Sequence, residues 1–254
     1  MTERVARKLW GLALTGLIVA VWAVGTDRWW SEATIPRLAD VWTVLKEFPG
    51  SAEFRGDLVR TVGEMLMAFA GGIVFGGLAG FAFWRVPLLG KAFEPYLVAL
   101  YAVPLVVFYP VLLVSIGINQ WPIVILATIM AAVPMALNTW AGFRGIPAVY
   151  LRLAESLECS PAQRLLRVAV PAAAPLVFAG IRLAAVYALI GVIAMEFVVA
   201  GEGLGFRIRY LYELFNQPGM FAYIVVVFLL AVVFTGVVSA AEQRVSAHRR
   251  IGSR

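Results

Sequence analysis

Four long stretches of the 254-residue chain contain no Asp, Glu, Lys or Arg. They cover residues 9–26, 65–84, 95–143 and 214–241. A helix needs about 20 mostly apolar residues to cross a bilayer, so three of these stretches each fit one spanning helix. The stretch at 95–143 is long enough for two. The pattern therefore predicts a protein that crosses a membrane several times.

A further apolar segment brings the number of predicted spanning helices to about six. The six predicted spans cover residues 9–26, 61–84, 93–115, 122–142, 176–200 and 221–241. Pro104 and Pro110 are expected to kink the third span, because proline lacks the N–H that a helix needs. The predicted fold class is an all-α membrane protein of about six transmembrane helices, with a cytosolic loop of coupling helices.

Glycines recur four residues apart along the second predicted span, at Gly72, Gly76 and Gly80. Small residues on one helix face allow two helix backbones to approach closely in lipid. We expect this face to pack within the chain rather than against a second copy.

We divide the chain into three regions, with one loop set apart from the core. They are residues 1–59, the first span and an outer amphipathic segment; residues 60–243, a five-helix core containing the polar loop at 143–175; and residues 244–254, a basic cytosolic tail. In the first region, Leu38, Val41 and Leu45 recur at helical spacing. A cleavable signal peptide is the alternative to a retained first span.

Composition narrows the possible functions. Hydrophobic residues make up 62% and charged residues 14% of the chain, against about half and about a quarter in ordinary globular proteins. This excludes a soluble enzyme and a disulfide scaffold. The single cysteine, Cys159, and the single histidine, His248, form no ligand cluster, and no phosphate-binding loop is present. We therefore predict no catalytic residue, no metal site and no bound cofactor.

The net charge of +6 is explained by membrane topology rather than by nucleic-acid binding. If both termini are cytosolic, 14 of the 21 basic residues lie on the cytosolic side. Such an excess is what the positive-inside rule describes. We expect a multi-pass protein of the bacterial cytoplasmic membrane with both ends inside.

The loop between the fourth and fifth predicted spans carries two short helical patterns. Ser160 followed by Pro161 and then Gln163 indicates a helix start with a capping box. The first short helix is therefore expected to end near Glu158, and Pro171 and Pro175 are expected to limit the second. Two short amphipathic helices on the inner face present an apolar surface that needs a partner.

The segment from Ala154 to Pro171 resembles the EAA loop of ATP-binding cassette (ABC) importer permeases. The family pattern is Glu-Ala-Ala, three residues, Gly, nine residues and Ile-x-Leu-Pro; its third position falls on Ala154 and its close on Val168-Ala169-Val170-Pro171. Pro95, Pro104 and Pro110, Asn138-Thr139 with Gly142, and Glu196-Phe197 followed by Gly203-Leu204-Gly205 are similar to the nitrate/sulfonate/taurine-type branch. The resemblance covers residues from about 60 to the C-terminus.

This resemblance implies a transport subunit and not an enzyme. A second permease chain would complete the pathway, cytosolic ATPase subunits would hydrolyse ATP, and an extracytoplasmic binding protein would deliver a small solute. The solute would be nitrate-, sulfonate- or taurine-like, or another small compound. The loop residues implied to contact the ATPase are Arg152, Ala154, Leu157, Glu158, Ser160, Gln163, Val168, Val170 and Pro171.

Two loop residues depart from the family pattern. Arg152 stands where the family has Glu, and Glu158 stands where it has Gly. Glycine at such a turn relieves a positive φ, so Glu158 indicates either a different turn or strain. One hypothesis is that the two charges bracket the first short helix and contact a partner suited to them. The other is drift on a solvated loop.

Ionisable residues inside spans are costly and usually face a cavity or a partner. Glu196 is the strongest candidate for a pathway or gating role, with Arg207 or Arg209 as expected ion-pair partners. Glu64 and Asn138 are further candidates, for which packing or interhelical bonding is the plainer interpretation.

The alternative function is an ion-coupled secondary transporter, for which one buried acid is thin support. A membrane-embedded transferase would need catalytic residues at the membrane surface, a role that His248 in the basic tail does not meet.

Overall fold

The computed structural model describes residues 10, 13–14, 16–17, 20–26 and 34–250, without the side chains of residues 101–102 and 245–250. The regular elements in this part of the chain are helices. In chain order they are α1 (Leu38–Glu47), α2 (Ala52–Arg85), α3 (Pro87–Ala102), α4 (Tyr109–Ile116), α5 (Trp121–Arg144), α6 (Ala148–Ser156), α7 (Pro161–Gln163), α8 (Val170–Val199), α9 (Leu204–Glu213) and α10 (Gln217–Arg250). Two 3₁₀ turns, Phe48–Gly50 and Leu105–Phe108, and a π-helical segment, Arg164–Ala169, complete the set.

Four helical segments of the described residues are long and apolar enough to cross a membrane. They are Ala52–Arg85, Trp121–Arg144, Pro161–Glu213 and Gln217–Arg244. These segments confirm the second, fourth, fifth and sixth predicted spans. Residues 9, 11–12, 15 and 18–19 of the first predicted span, 9–26, lie outside the described residues, and the rest of that span is helical.

The third predicted span is broken rather than kinked. Its two halves, Pro87–Leu100 and Leu105–Ile116, are bent by 93°. Pro104 lies at the break in an extended conformation with ψ of 98°. Proline cannot donate a helical hydrogen bond, so the helix ends before Pro104 and restarts as a 3₁₀ turn.

The glycine face of α2 packs directly on α5. A Cβ atom added at Gly72 would lie 2.5 Å from the Ala131 Cβ, and one added at Gly80 would lie 2.7 Å from the Thr139 Cβ. Real Cβ atoms do not approach so closely, so a side chain at either position would push the two helices apart. The prediction that this face packs within the chain is confirmed.

Small residues also bring α8 against α5. Ala127 in α5 and Ala184, Ala185 and Ala188 in α8 are completely buried, and a Cβ at Gly191 would lie 3.1 Å from the Ala127 Cβ. Helices α2, α5 and α8 therefore form one closely packed unit, as small-residue faces permit in lipid.

The predicted amphipathic helix is α1, and one of its faces is buried. Val41 is 3% exposed, whereas the next residue, Trp42, is 59% exposed. Val41 and Phe48 pack in a cluster with Leu204 of α9 and Tyr223 of α10. This contact holds the segment before α2 against the ends of α9 and α10.

The expectation that Pro171 and Pro175 limit the second loop helix is wrong. The backbone is helical from Pro161 through the π-helical segment to Val199, and the Val170 N–H donates to the Leu165 carbonyl, five residues earlier. The π-helical segment ends at Ala169, two residues before Pro171, and the helix continues past both prolines.

Candidate functional site

Two regions at opposite ends of the α2–α5–α8 unit carry the predicted functional residues. One is the paired-helix loop, residues 145–169, which contains α6, α7 and the π-helical segment. The other is the Glu196 cluster, in which side chains of α2 and α8 contact the start of α9.

Helix α6 of the paired-helix loop exposes a row of apolar side chains. Val149, Tyr150, Leu153 and Leu157 are 61%, 50%, 57% and 68% exposed. Ala154 is turned away from this row and is 3% exposed. The exposed apolar surface expected from the sequence is therefore present, but Ala154 belongs to the packed side.

The turn after α6 has the geometry of a Schellman motif. The Cys159 N–H donates to the Ala154 carbonyl at 3.0 Å, and the Glu158 N–H donates to the Glu155 carbonyl at 2.9 Å. Glu158 has φ of +49°, the left-handed conformation that glycine commonly supplies at this position. Of the two possibilities raised by the sequence, the structure has strain at Glu158.

The start of the second loop helix is as predicted. The Gln163 N–H donates to the Ser160 hydroxyl at 3.3 Å, and the Ser160 N–H donates to the Gln163 side chain at 2.9 Å. These two bonds form the capping box. An ion pair of 2.7 Å between Arg164 and Glu155 links this helix to α6.

The hypothesis that Arg152 and Glu158 bracket α6 is wrong in its geometry. The helix starts at Ala148, directly after Pro147, so Arg152 lies in its middle. Its side chain is exposed. Of the remaining predicted loop residues, Val168 and Val170 are half-buried and Pro171 is exposed.

A small hydrophobic cluster fixes the paired-helix loop to the spanning helices. Phe143 of α5, Ala169 of the loop and Ala173 of α8 are buried together. Leu151 and Leu165 of the loop pack against them, with Trp84 of α2. The loop is thereby attached to all three helices of the central unit.

At the other end of the unit, the first N–H groups of α9 are bound by buried side chains. The Gly203 N–H donates to Asp57 Oδ1 at 3.0 Å, the Leu204 N–H to Thr61 Oγ1 at 2.9 Å and the Gly205 N–H to Glu196 Oε2 at 2.8 Å. Helix N-termini carry unpaired donors and partial positive charge. Carboxylates and a hydroxyl from α2 and α8 therefore serve as the cap of α9.

Glu196 lies at the centre of this arrangement and is completely buried. The Thr61 hydroxyl is 2.7 and 2.9 Å from its two carboxylate oxygens and donates to the carboxylate. Gly203 has φ of +104°, and a Cβ there would collide with the Glu196 carboxylate. The Gly203-Leu204-Gly205 segment is thus shaped to fit Glu196.

The expected ion pair between Glu196 and Arg207 or Arg209 is wrong. Arg207 pairs with Asp57 at 2.8 Å and with Glu53 at 2.6 Å. Arg209 donates to the carbonyls of Val198 and Ala200, at 2.7 and 2.9 Å. Helix α9 leads away from Glu196, so its arginines reach the start of α2 and the end of α8 instead.

Asp57 and Thr61 were not identified from the sequence. The start of the second span was predicted at Thr61, but α2 begins nine residues earlier, at Ala52. Asp57, Thr61 and Glu64 are spaced by four and three residues and share one buried face of α2. That spacing was the signal available in the sequence.

Glu64 and Asn138 have local partners. Arg60 forms an ion pair with Glu64 and a longer one, 3.4 Å, with the exposed Glu202. Glu64 is completely buried, and its Oε2 has no hydrogen-bond partner in the described part of the chain. The Asn138 side chain donates to the Pro134 carbonyl of its own helix at 2.8 Å, not across to another helix.

Among the residues that the structure describes, no group of three His, Cys, Asp or Glu side chains is arranged to hold a metal ion. The geometry defines a membrane-spanning protein whose spans are joined rigidly to an exposed apolar loop.

The family model for the "binding-protein-dependent transport system inner membrane component" matches residues 72–247. The chain therefore belongs to this family of ABC importer permeases, which are transport components rather than enzymes. Membership sets aside the ion-coupled secondary transporter and implies ATPase and binding-protein partners.

Two curated relatives and one solved structure agree with this assignment. The putative aliphatic sulfonates transport permease protein of Bacillus subtilis is 29% identical, over 85% of this chain and 79% of the relative. The taurine transport system permease protein of Escherichia coli is 24% identical, over 92% of this chain and 86% of the relative. The inward-facing MetNI methionine ABC transporter has a TM-score of 0.64 at 18% identity, covering 75% of this chain and 94% of that one; it shows the type I importer permease fold.

We predict that Glu158→Gly stabilises the chain by about 1 kcal/mol, because a non-glycine residue in the left-handed region costs about that much. Glu158→Ala is the matched control, since it removes the carboxylate but keeps the strain. Unfolding in mild detergent measures both variants. Equal stabilisation by Ala and Gly would contradict a backbone origin.

We predict that Thr61→Val destabilises the chain by about 2 kcal/mol, because the Leu204 N–H and one side of the Glu196 carboxylate lose their partner. The same unfolding measurement applies. Thr235→Val is the control, since the Thr235 hydroxyl donates at 2.6 Å to the Ala231 carbonyl of its own helix. A loss of equal size in both variants would show that the Thr61 hydroxyl has no special role.

Proposed function

We propose that the paired-helix loop is the surface through which a cytosolic ATPase subunit drives this permease. The observation that carries the proposal is the exposed row of Val149, Tyr150, Leu153 and Leu157 beside the fully packed Ala154. An exposed apolar surface of this kind on a rigid support is typical of a protein interface.

The mechanical path supports the same function. The helical run from Pro161 to Val199 is continuous, and at 1.5 Å per residue it extends over about 58 Å. Its first residues belong to the loop, and Glu196 lies near its end. A displacement of the loop by the ATPase would move the Glu196 cluster as part of the same rigid body.

In this proposal Glu196 is a positioning residue of the outer gate and not a solute ligand. Its carboxylate oxygens are occupied by Thr61 and Gly205. The cluster therefore keeps the start of α9 attached to α2 and α8, so that α9 moves with the central unit. Glu64 and Asn138, which bind Arg60 and their own helix respectively, support the same packed structure.

The assembly that we propose has both termini and the paired-helix loop in the cytosol. A second permease copy, identical or different, would complete the pathway, and a binding protein would deliver the solute to the opposite face. ATP would be bound by the ATPase, and this chain would hold no cofactor. The distribution of basic residues supports this orientation.

The cargo that we propose is a small nitrate-, sulfonate- or taurine-like solute, because the named relatives transport aliphatic sulfonates and taurine. Within the six predicted spans the single basic residue is Arg182, which forms an ion pair with Glu242. Selection of the solute would therefore belong mainly to the binding protein.

We predict that Leu153→Glu abolishes co-purification of the ATPase with the tagged chain, because a charge at the centre of an apolar interface is strongly unfavourable. Ala39→Glu, an exposed position on α1, is the control with the same new charge at the other end of the molecule. Retention of the ATPase by a folded Leu153→Glu variant would refute this docking surface.

The same co-purification distinguishes the two interpretations of the unusual loop charges. If Arg152 and Glu158 contact the ATPase directly, then Arg152→Glu and Glu158→Arg each reduce the amount recovered. If both variants recover the same amount of ATPase as the unmodified chain, the two charges are solvated and do not contact the ATPase.

We predict that a membrane-impermeant maleimide labels Cys159 in inside-out vesicles and not in right-side-out cells. The half-buried Cys159 is the single cysteine of the chain, so the label reports on one position. Ala39→Cys in a Cys159→Ser background is expected to give the opposite pattern. Labelling of Cys159 from outside would reverse the proposed topology.

A further inference from the structure

Two cavities adjoin on the side of the central unit that carries the paired-helix loop. The larger is an apolar groove of about 480 Å³ between α2, α5 and α8. Its lining includes Val74, Leu78, Phe81, Ala174 and Phe178. These apolar positions lie within the spanning part of α2 and the first half of α8, at a depth where hydrocarbon surrounds a membrane protein.

The smaller cavity, of about 310 Å³, lies where α2 ends. Its lining mixes apolar side chains with three charged ones, and for the charged ones it is named the polar cavity. It is lined by Trp84 and Arg85 of α2 and by Glu155, Pro161 and Arg164 of the paired-helix loop. Arg85 is the first charged residue after the uncharged stretch that follows Glu64. Tryptophan and arginine at the end of a span mark the membrane interface, so this cavity lies at headgroup level.

An aromatic group joins the two cavities. Phe81 and Phe143 line the groove, and Trp84 lines the polar cavity. The Trp84 and Phe143 rings stack with centroids 4.8 Å apart, and Phe81 meets Phe143 at 5.5 Å. The two cavities therefore lie next to each other along one aromatic surface.

The polar cavity contains more cationic than anionic side chains. Glu155 binds Arg164 through Nη1 alone, and Arg164 Nε has no hydrogen-bond partner in the described part of the chain. Arg85 lies over the Trp84 ring at 5.8 Å and forms no ion pair among the described residues. Two guanidinium groups facing one carboxylate leave a net positive charge.

We propose that these two cavities form a binding site for an anionic phospholipid. The headgroup phosphate lies between Arg85 and Arg164, where charge-assisted hydrogen bonds are strong. One acyl chain occupies the apolar groove. Thr139 lines the groove, and its buried hydroxyl has no hydrogen-bond partner among the residues that the structure describes, so it is available to an ester carbonyl of the lipid.

This site contacts the membrane and the paired-helix loop at once. Arg85 ends a spanning helix, whereas Arg164 belongs to the loop and is linked through Glu155 to α6. A bound anionic lipid therefore holds the loop against the membrane, so membrane composition influences the position of α6.

Titration of the purified full chain in detergent, followed by native mass spectrometry, tests the proposal. The probes are phosphatidylglycerol, phosphatidylcholine with the same acyl chains, and inorganic phosphate. We expect phosphatidylglycerol to bind more tightly than phosphatidylcholine, and the double variant Arg85→Gln/Arg164→Gln to weaken its binding by about 25-fold. Arg167→Gln, an exposed arginine of the same loop outside the cavity, should leave binding unchanged.

The variant Gly77→Leu tests the groove separately. A Cβ at Gly77 meets only the Met135 Cε, at 3.5 Å, so the added side chain fills the groove without a clash at Cβ. It should weaken binding of both lipids, whereas Gly236→Leu, with nothing within 4 Å, should not.

Three results would overturn the proposal: unchanged phosphatidylglycerol binding in a folded double-arginine variant, displacement of the lipid by inorganic phosphate with the same arginine dependence, or loss of self-association instead of lipid in Gly77→Leu. The second would define a soluble-anion site, and the third a contact between copies of the chain.

Discussion

The close approach of α2, α5 and α8 is the constraint on which the other features depend. Between helices in lipid there is little hydrophobic driving force, so packing must come from backbones that touch. Gly72 and Gly80 of α2 lie against Ala131 and Thr139 of α5, and the alanines of α8 are completely buried beside them. Because these contacts leave no room for a larger side chain, the three helices behave as one body with a loop at one end and a polar cluster at the other.

The two ends of this unit differ in which groups are exposed to solvent and which are buried. At the loop end, apolar side chains of α6 are exposed, while the small hydrophobic cluster around Phe143 holds the loop to the unit. A rigid docking surface requires this arrangement. At the other end, polar groups that water cannot reach are paired with one another. The first N–H groups of α9 donate hydrogen bonds to Asp57, Thr61 and Glu196. A helix that starts inside the protein therefore has its free donors paired. Both arrangements suit a subunit that transmits movement without changing its internal structure.

At Glu158 the chain departs from the family pattern, but the backbone of the turn is unchanged. The turn keeps the hydrogen bonds that a glycine would allow, and the glutamate adopts the positive φ itself. A similar turn ends α9, where Phe215 has φ of +55°. The surrounding hydrogen bonds determine the backbone in each case, and the residue type changes the energy of the turn rather than its form.

Features that depend on local chemistry could be predicted from the sequence. Uncharged stretches located three of the four confirmed spans, and Ser160 with Gln163 located a helix start. The glycine spacing located a packing face, and the motif of the loop indicated the family. Contacts between groups distant in the sequence could not be predicted and depend on how the helices pack. Glu196 was recognised as buried, but its partners come from α2 and from the backbone of α9 rather than from the arginines nearby in sequence. The break at Pro104 and the passage of the helix through Pro171 also depend on this packing. The physical reason is that burial is a property of a segment, whereas a hydrogen bond depends on the position of two segments and on the backbone register between them.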